Sequence, residues 1–98
     1  MKVLLIVDDE AYARQAVVNT IPWAEYGVEV HQASSGKEAL EFMQKYTVDI
    51  LMTDIRMPSM TGLELLEKVN QMGISPAVIM LSSYNEFELV RSAMQLGA

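Results

Sequence analysis

The sequence contains no cysteine and little positive charge. Without cysteine the chain has neither a disulfide framework nor a thiolate metal site, which agrees with a reducing compartment, so we expect a cytoplasmic protein. Seven lysine and arginine residues stand against thirteen aspartate and glutamate residues, which gives a net charge of −6. Such a chain lacks the basic surface that neutralises a phosphate backbone, so we expect no direct contact with nucleic acid.

Long apolar runs are also missing. The N-terminal run at residues 3–7 ends at Asp8 and is too short for the apolar core of a signal peptide. No segment approaches the ~20 apolar residues that a membrane-spanning helix needs, so we expect no membrane association. With 98 residues, about half of them apolar, the chain fits one compact domain over residues 1–98.

Four short apolar runs, rich in β-branched residues, alternate with segments of helical spacing. The predicted strands cover residues 3–7, 28–33, 48–53 and 77–81, and a segment with helical spacing follows each of them. The second run alternates apolar and polar residues, as an edge strand does. Strand and helix repeated four times predict right-handed crossovers and a parallel sheet with helices on both faces, which is an α/β fold.

Capping residues mark where the predicted helices begin. Ser35, three positions before Glu38, gives a capping-box pattern at the start of the second helix. Thr61 can cap a third helix that begins at Gly62. This glycine, with the proline four residues before it, predicts a turn that leaves the end of the third strand exposed.

Acidic and hydroxyl side chains follow three of the predicted strands. Asp8 and Asp9 follow the first, Asp54 follows the third and Ser82 follows the fourth. The carboxyl ends of parallel strands meet at one edge of a sheet, so these side chains are expected to lie together. Two carboxylates ~4 Å apart repel by ~4 kcal/mol at an effective dielectric of ~20, so a cluster needs a cation, and oxygen ligands open to water suit Mg²⁺. An aspartate in such a site can be a nucleophile that forms an aspartyl phosphate, and Asp54 is the candidate.

Each of these residues also has a simpler interpretation. Asp8 and Asp9 are typical of the start of a helix, where the helix dipole favours negative charge. Asp54 is typical of a turn, and Ser82 of a helix N-cap. The occurrence of all four at the ends of three strands favours the metal and phosphoryl interpretation.

Three segments together, LLIVDDE, MTDIRMPSMTG and IMLSSY, resemble the signature of a bacterial two-component response-regulator receiver domain. The resemblance covers the whole chain with the family's order and spacing. It implies a flavodoxin-like three-layer sandwich with strand order 2-1-3-4. It also implies a phosphoprotein that takes a phosphoryl group from a sensor histidine kinase, switches an attached output domain, and catalyses only its own aspartyl phosphorylation and dephosphorylation.

The resemblance also implies a role for each site residue. Asp54 would be the phosphoacceptor and Ser82 the switch hydroxyl that bonds the phosphoryl group. Asp9 and Asp54 would hold Mg²⁺ together with the backbone carbonyl of Arg56, and Asp8 would assist through water. Apart from the resemblance, the residues leave two roles open for the Arg56 side chain, which are pairing with phosphate and solvation.

A weaker resemblance concerns the output domain. The segment IPWAEYGVEV, residues 21–30, is similar to receivers joined to AraC-type DNA-binding domains, through Trp23, Tyr26 and Gly27. It implies a transcription-regulating output domain on the same chain. We expect Trp23 and Tyr26 to pack over the end of the first helix.

The sequence departs from the family's pattern at its end. Receivers have a fifth strand and helix, with a lysine at the end of that strand, and these 98 residues stop at QLGA before it. We therefore expect residues 77–81 to form an apolar edge strand that invites self-association, unless a swapped or fused segment completes the fold.

Three rival functions fit parts of the sequence. An interaction or oligomerisation module with the receiver fold would signal without phosphate, and the absent lysine favours it. A haloacid-dehalogenase-type phosphatase needs a second acid two residues after its nucleophile, where this chain has Arg56. A flavodoxin-like FMN protein needs a hydroxyl- and glycine-rich loop after the first strand, where this chain has the acidic segment VDDEAYA.

Overall fold

The computed structural model describes residues 1–81 as a parallel sheet between helices. The elements in chain order are β1 (Lys2–Val7), α1 (Ala11–Thr20), a 3₁₀ turn (Trp23–Tyr26), β2 (Val28–Ala33), α2 (Gly36–Lys45), β3 (Ile50–Asp54), α3 (Gly62–Gln71) and β4 (Ala77–Leu81). The strand order is β2-β1-β3-β4 and every pair is parallel, which confirms the predicted α/β class and the order 2-1-3-4. Ser82 and the predicted fourth helix lie outside the described residues.

The central strand β1 is buried on both faces because its side chains alternate between two cores. Leu5 and Val7 face the core that α2 and α3 cover, whereas Leu4 and Ile6 face the core that α1 covers. The α2 and α3 helices contribute fully buried residues, but α1 contributes none. Packing therefore anchors α1 less firmly than the other two helices.

The third strand begins later than predicted because Asp49 bonds to β1 through its side chain. The Val3 amide donates to a carboxylate oxygen of Asp49 at 2.7 Å, and the Asp49 amide donates to the Val3 carbonyl at 2.9 Å. The Asp49 carbonyl in turn accepts from the Ala77 amide at 2.9 Å. Asp49 thus joins the beginnings of three strands, and the regular ladder starts at Ile50.

The two predicted N-caps are present, but only one forms a full capping box. Thr61 accepts from the Glu64 amide at 3.1 Å, and the Glu64 carboxylate accepts from the Thr61 amide at 3.1 Å. Ser35 accepts from the Glu38 amide at 3.1 Å, but the Glu38 carboxylate accepts from the hydroxyl of Ser34 at 2.8 Å instead. The neighbouring serine therefore competes for the carboxylate that would complete the second box.

Of the aromatic pair after α1, one residue packs as predicted and the other does not. Trp23 packs against the α1 core, and its indole N–H donates to the Val17 carbonyl at 3.2 Å, as expected. The prediction was wrong for Tyr26, which is 72% exposed. Gly27, at φ 72°, turns the chain directly into β2 and leaves Tyr26 on the outer side of the turn.

Within residues 1–81, β2 and β4 form the two edges of the sheet, and the one neighbour of β4 is β3. Ile79 on this strand is 44% exposed. Self-association through this edge stays a prediction. In the same part of the chain, no helix has both the length and the apolar character needed to cross a bilayer.

Replacing the cap of α3 is expected to weaken the fold. Thr61→Ala removes the acceptor of the Glu64 amide, so the free energy of unfolding should fall by ~1 kcal/mol, whereas Thr61→Ser should retain most of it. Thr47→Ala is the control, because Thr47 is exposed in a loop. Urea denaturation measures the three variants. Equal stability of the Thr61→Ala and Thr47→Ala variants would contradict the assigned role of the capping box.

Candidate functional site

The candidate site lies where β1 and β3 end. The two strands are parallel neighbours in which Val7 pairs with Thr53. The next residue on each strand, Asp8 and Asp54, therefore emerges at the same edge of the sheet. Asp9 follows in the loop that leads to α1.

Three carboxylates converge at this edge. One carboxylate oxygen from each of Asp8, Asp9 and Asp54 lies within 4.8 Å of the other two. Asp8 is buried, Asp54 is half-buried and Asp9 is exposed. The cluster is therefore held by the sheet on one side and open to solvent on the other.

The cluster suits a small divalent cation. For oxygens at most 4.8 Å apart, some point lies within about 2.8 Å of all three, compared with ~2.0–2.1 Å for a Mg–O bond, so modest side-chain movement would bring them into range. The donors are carboxylates, with no histidine or cysteine among them, and this set favours Mg²⁺ or Ca²⁺ over softer metals. A cation would also relieve the mutual repulsion of the acids.

The loop between β1 and α1 is fixed through Asp8. Its amide donates to the Ala33 carbonyl at 3.2 Å, and its carboxylate accepts from the Glu10 amide at 3.0 Å. Glu10 is the N-cap residue of α1, and its own side chain makes no capping bond. Asp8 thus bonds to the residue that begins α1 and also belongs to the acidic cluster, while the helix-dipole interpretation stays a prediction.

The loop between β3 and α3 folds back against Asp54. The amide of Gly62 donates to the Ile55 carbonyl at 2.8 Å, and Ile55 and Met57 are buried. A Cβ atom on Gly62 would lie 2.3 Å from the backbone oxygen of Asp54. Only glycine lets α3 begin so close to the strand end, which explains the glycine that the sequence analysis singled out.

The two other predicted site residues are Arg56 and Ser82. Arg56 is exposed on this loop, and its amide lies 3.4 Å from a carboxylate oxygen of Asp54, which makes a long hydrogen bond at best. Ser82 lies outside the described residues, so its predicted role stays a prediction.

Two residues that contact the site were not predicted from the sequence. Thr53 is fully buried, and its hydroxyl donates to the Asp54 carbonyl at 2.9 Å. Arg14 donates from its guanidinium to the Asp8 carbonyl at 2.6 Å. An arginine in the first turns of the helix that follows the acidic pair was the available signal for the second contact.

Comparison with known proteins decides the family. Residues 4–98 match the family model described as the response regulator receiver domain. The chain belongs to this family. The resemblance inferred from the three motifs is thereby confirmed, and the domain is the receiver domain of a two-component response regulator.

The receiver domain is similar to transcription regulators. It is 36% identical over 93 residues to the transcriptional regulatory protein HptR of Staphylococcus aureus, which covers 94% of this chain and 36% of that protein. The chain thus spans about a third of the length of the curated relatives it matches.

Solved structures of receiver domains superpose closely on this one. A two component transcriptional regulator AraC from Clostridium phytofermentans has a TM-score of 0.87 and 32% identity, over 95% of this chain and 73% of that one. The REC domain of AraT, a response regulator from Geobacillus stearothermophilus, has a TM-score of 0.87 and 35% identity, over 97% of this chain and 74% of that one. These neighbours confirm the flavodoxin-like receiver fold and include AraC-type regulators.

The close approach at Gly62 predicts an asymmetry between two helix-start glycines. Gly62→Ala places a methyl group against the backbone of Asp54, so the free energy of unfolding should fall by ~1–3 kcal/mol. Gly36→Ala is the matched control, because its methyl group would meet the flexible side chain of Met60, which can move aside. Urea denaturation of both variants measures the difference. A smaller loss for Gly62→Ala than for Gly36→Ala would contradict the described packing.

Proposed function

We propose that this receiver domain accepts a phosphoryl group from a sensor histidine kinase on the carboxylate of Asp54. The observation that carries the proposal is the convergence of the Asp8, Asp9 and Asp54 carboxylates at the carboxyl edge of the sheet. Asp54 is half-buried at the end of β3, so it is held by the fold and still reached from solvent. Asp54 is thus the nucleophile of this site.

The cation site follows from the same cluster. Asp9 and Asp54, with the backbone carbonyl of Arg56, would hold Mg²⁺, and Asp8 would act through water. Bound there, Mg²⁺ supplies the positive charge that offsets the negative charge of the transferring phosphoryl oxygens.

In the reaction, a carboxylate oxygen of Asp54 attacks the phosphorus atom of the phosphohistidine donor. A P–O bond forms, the P–N bond breaks, and its electron pair stays on the imidazole nitrogen. The backbone at Asp54 is fixed at the strand end, because its carbonyl accepts from the hydroxyl of the buried Thr53. The domain acts in this way on its own aspartate, and hydrolysis of the aspartyl phosphate resets it.

The output follows from the added charge. A phosphoryl group brings about −1.5 to −2 charges to an edge that already carries three acids, and it adds strong acceptors for a nearby hydroxyl. Ser82 is the switch hydroxyl of the proposal. The relatives named as transcription regulators and the AraC-type structural neighbours support an attached DNA-binding output domain on a longer chain.

Labelling by a small phosphodonor tests the phosphoacceptor. With acetyl phosphate and Mg²⁺, intact-mass spectrometry should show one added phosphoryl group on the unaltered chain and none on Asp54→Asn, because an amide is a poor nucleophile. Glu67→Gln is the matched control, since it removes the same charge from an exposed position on α3. An unaltered chain that is never labelled would favour the phosphate-independent interaction module instead.

Divalent-ion binding tests the acidic cluster separately. Asp9→Asn should raise the Mg²⁺ dissociation constant, measured by calorimetry, by at least about 10–100-fold. Loss of an outer-shell partner typically has an effect of this size, and Asp9 is proposed as a direct ligand. Asp9→Asn should also raise the melting temperature in the absence of Mg²⁺, because it relieves repulsion. Glu10→Gln is the control for charge at the adjacent position. Equal Mg²⁺ affinity of the two variants would exclude Asp9 as a ligand.

A further inference from the structure

The side chain of Arg14 joins three elements around the acidic cluster. It projects from α1, and its Nη1 donates to the Asp8 carbonyl at 2.6 Å, just beyond β1. Its Nε donates to the Oε1 atom of Gln32 at 3.2 Å, on the edge strand β2. The guanidinium of Arg14, on α1, therefore contacts the ends of both β1 and β2.

The helix that carries Arg14 has few other attachments at its first turn. No residue of α1 is fully buried, and its N-cap residue, Glu10, makes no capping bond with its side chain. The first turn of α1 contains no acidic residue that would favour the helix dipole. Polar contacts such as that of Arg14 therefore carry more of the positioning here than they do at α2 or α3.

The contact with Asp8 fixes the backbone from which two of the three acids project. The other polar groups of Asp8 bond within the backbone framework, to the Ala33 carbonyl and the Glu10 amide. Arg14 supplies the bond to the remaining carbonyl, and a charged donor makes this bond stronger than a neutral one. The direction in which the loop leaves β1, and with it the place of Asp9, depends on that bond.

The charge of Arg14 has a second effect. Both of its side-chain acceptors within residues 1–81 are neutral, a carbonyl and an amide. Its positive charge is therefore not cancelled by a partner, and it lies beside a site that gathers three carboxylates. The bond to the Asp8 carbonyl thus brings a positive charge to the backbone next to this cluster, where opposite charges attract.

We propose that Arg14 is a positioning residue of the Mg²⁺ site, with Gln32 as its anchor on β2. The inference rests on the proposed function and deepens it, since Arg14 holds the Asp8–Asp9 backbone so that both carboxylates meet Asp54. Gln32 belongs to the edge strand β2. The contact between Arg14 and Gln32 therefore links this edge of the sheet to the Mg²⁺ affinity of the site. Gln15 lies near the same anchor, with its amide nitrogen 3.5 Å from the Gln32 oxygen, which is at the limit of hydrogen-bond distance.

Mg²⁺ titration without any phosphodonor tests the inference. Arg14→Ala should raise the Mg²⁺ dissociation constant about 10–100-fold, as loss of an outer-shell contact does. Lys37→Ala, which removes the same charge from an exposed position on α2, should leave it nearly unchanged. Arg14→Lys keeps the charge but not the planar fork, so it should restore binding only in part.

Two further readouts separate positioning from a general loss of structure. The emission of Trp23, the sole tryptophan, reports whether α1 is docked, and it should be unchanged in Arg14→Ala. Hydrogen exchange of the amides of residues 8–10 should be faster in this variant. Wild-type Mg²⁺ affinity in Arg14→Ala, or a loss matched by Lys37→Ala, would overturn the proposal.

Gln32→Ala keeps the test decisive if Arg14→Ala does not fold. This variant leaves the guanidinium and its bond to Asp8 in place and removes the anchor. A loss of Mg²⁺ affinity smaller than about 10–100-fold therefore supports the proposal. An unchanged Mg²⁺ affinity overturns it. The outcomes also separate the two proposals. Arg14-dependent Mg²⁺ binding without labelling of Asp54 refutes the phosphoacceptor role alone, whereas labelling with Arg14-independent binding refutes the positioning role alone.

Discussion

The structure depends on one electrostatic constraint, the gathering of three like charges at one edge of a small sheet. Two carboxylates ~4 Å apart repel by ~4 kcal/mol at an effective dielectric of ~20, which is large beside the ~5–15 kcal/mol that stabilises a small domain. The exposure of Asp9 to water lowers that repulsion. The remainder is borne by the packing beneath the site and by the cation that the site is suited to hold.

The packing beneath the site is the central strand. Each fully buried leucine or isoleucine of β1 stabilises the fold by ~1.5–3 kcal/mol, and four consecutive residues of this strand are buried. The parallel register between β1 and β3 then leaves no freedom in where Asp8 and Asp54 emerge. The same packing that stabilises the domain thus imposes the clustering of its acids.

Most of the fold and part of the site were accessible from the sequence because they follow local rules. A strand buried on both faces, such as β1, reads as a continuous apolar run, and the bounds of the two edge strands, β2 and β4, were also predicted correctly. The start of β3 was not, since Asp49 bonds to a strand that is 46 residues distant along the chain. Arg14 was missed for the same reason, because its contact with Gln32 exists only once α1 and β2 are packed side by side.

The acidic cluster itself was predicted from topology alone, and the residues also indicated Asp54 as the candidate nucleophile. The other roles of its members came from the resemblance to receivers. Parallel strands bring their carboxyl ends together whatever the family, so the convergence of Asp8, Asp9 and Asp54 needed only a correct strand order. Strand order does not specify the role of each acid, which stays a prediction.

The hydrogen bonds of Asp49 lie at the end of the sheet where the strands begin, away from the acidic cluster, and they have a mechanical consequence. By tying the beginnings of β1, β3 and β4 together, they make that end of the sheet a fixed base. We therefore expect a conformational response to added charge at Asp54 to occur in the loops and helix starts around the acidic cluster and not along the strands.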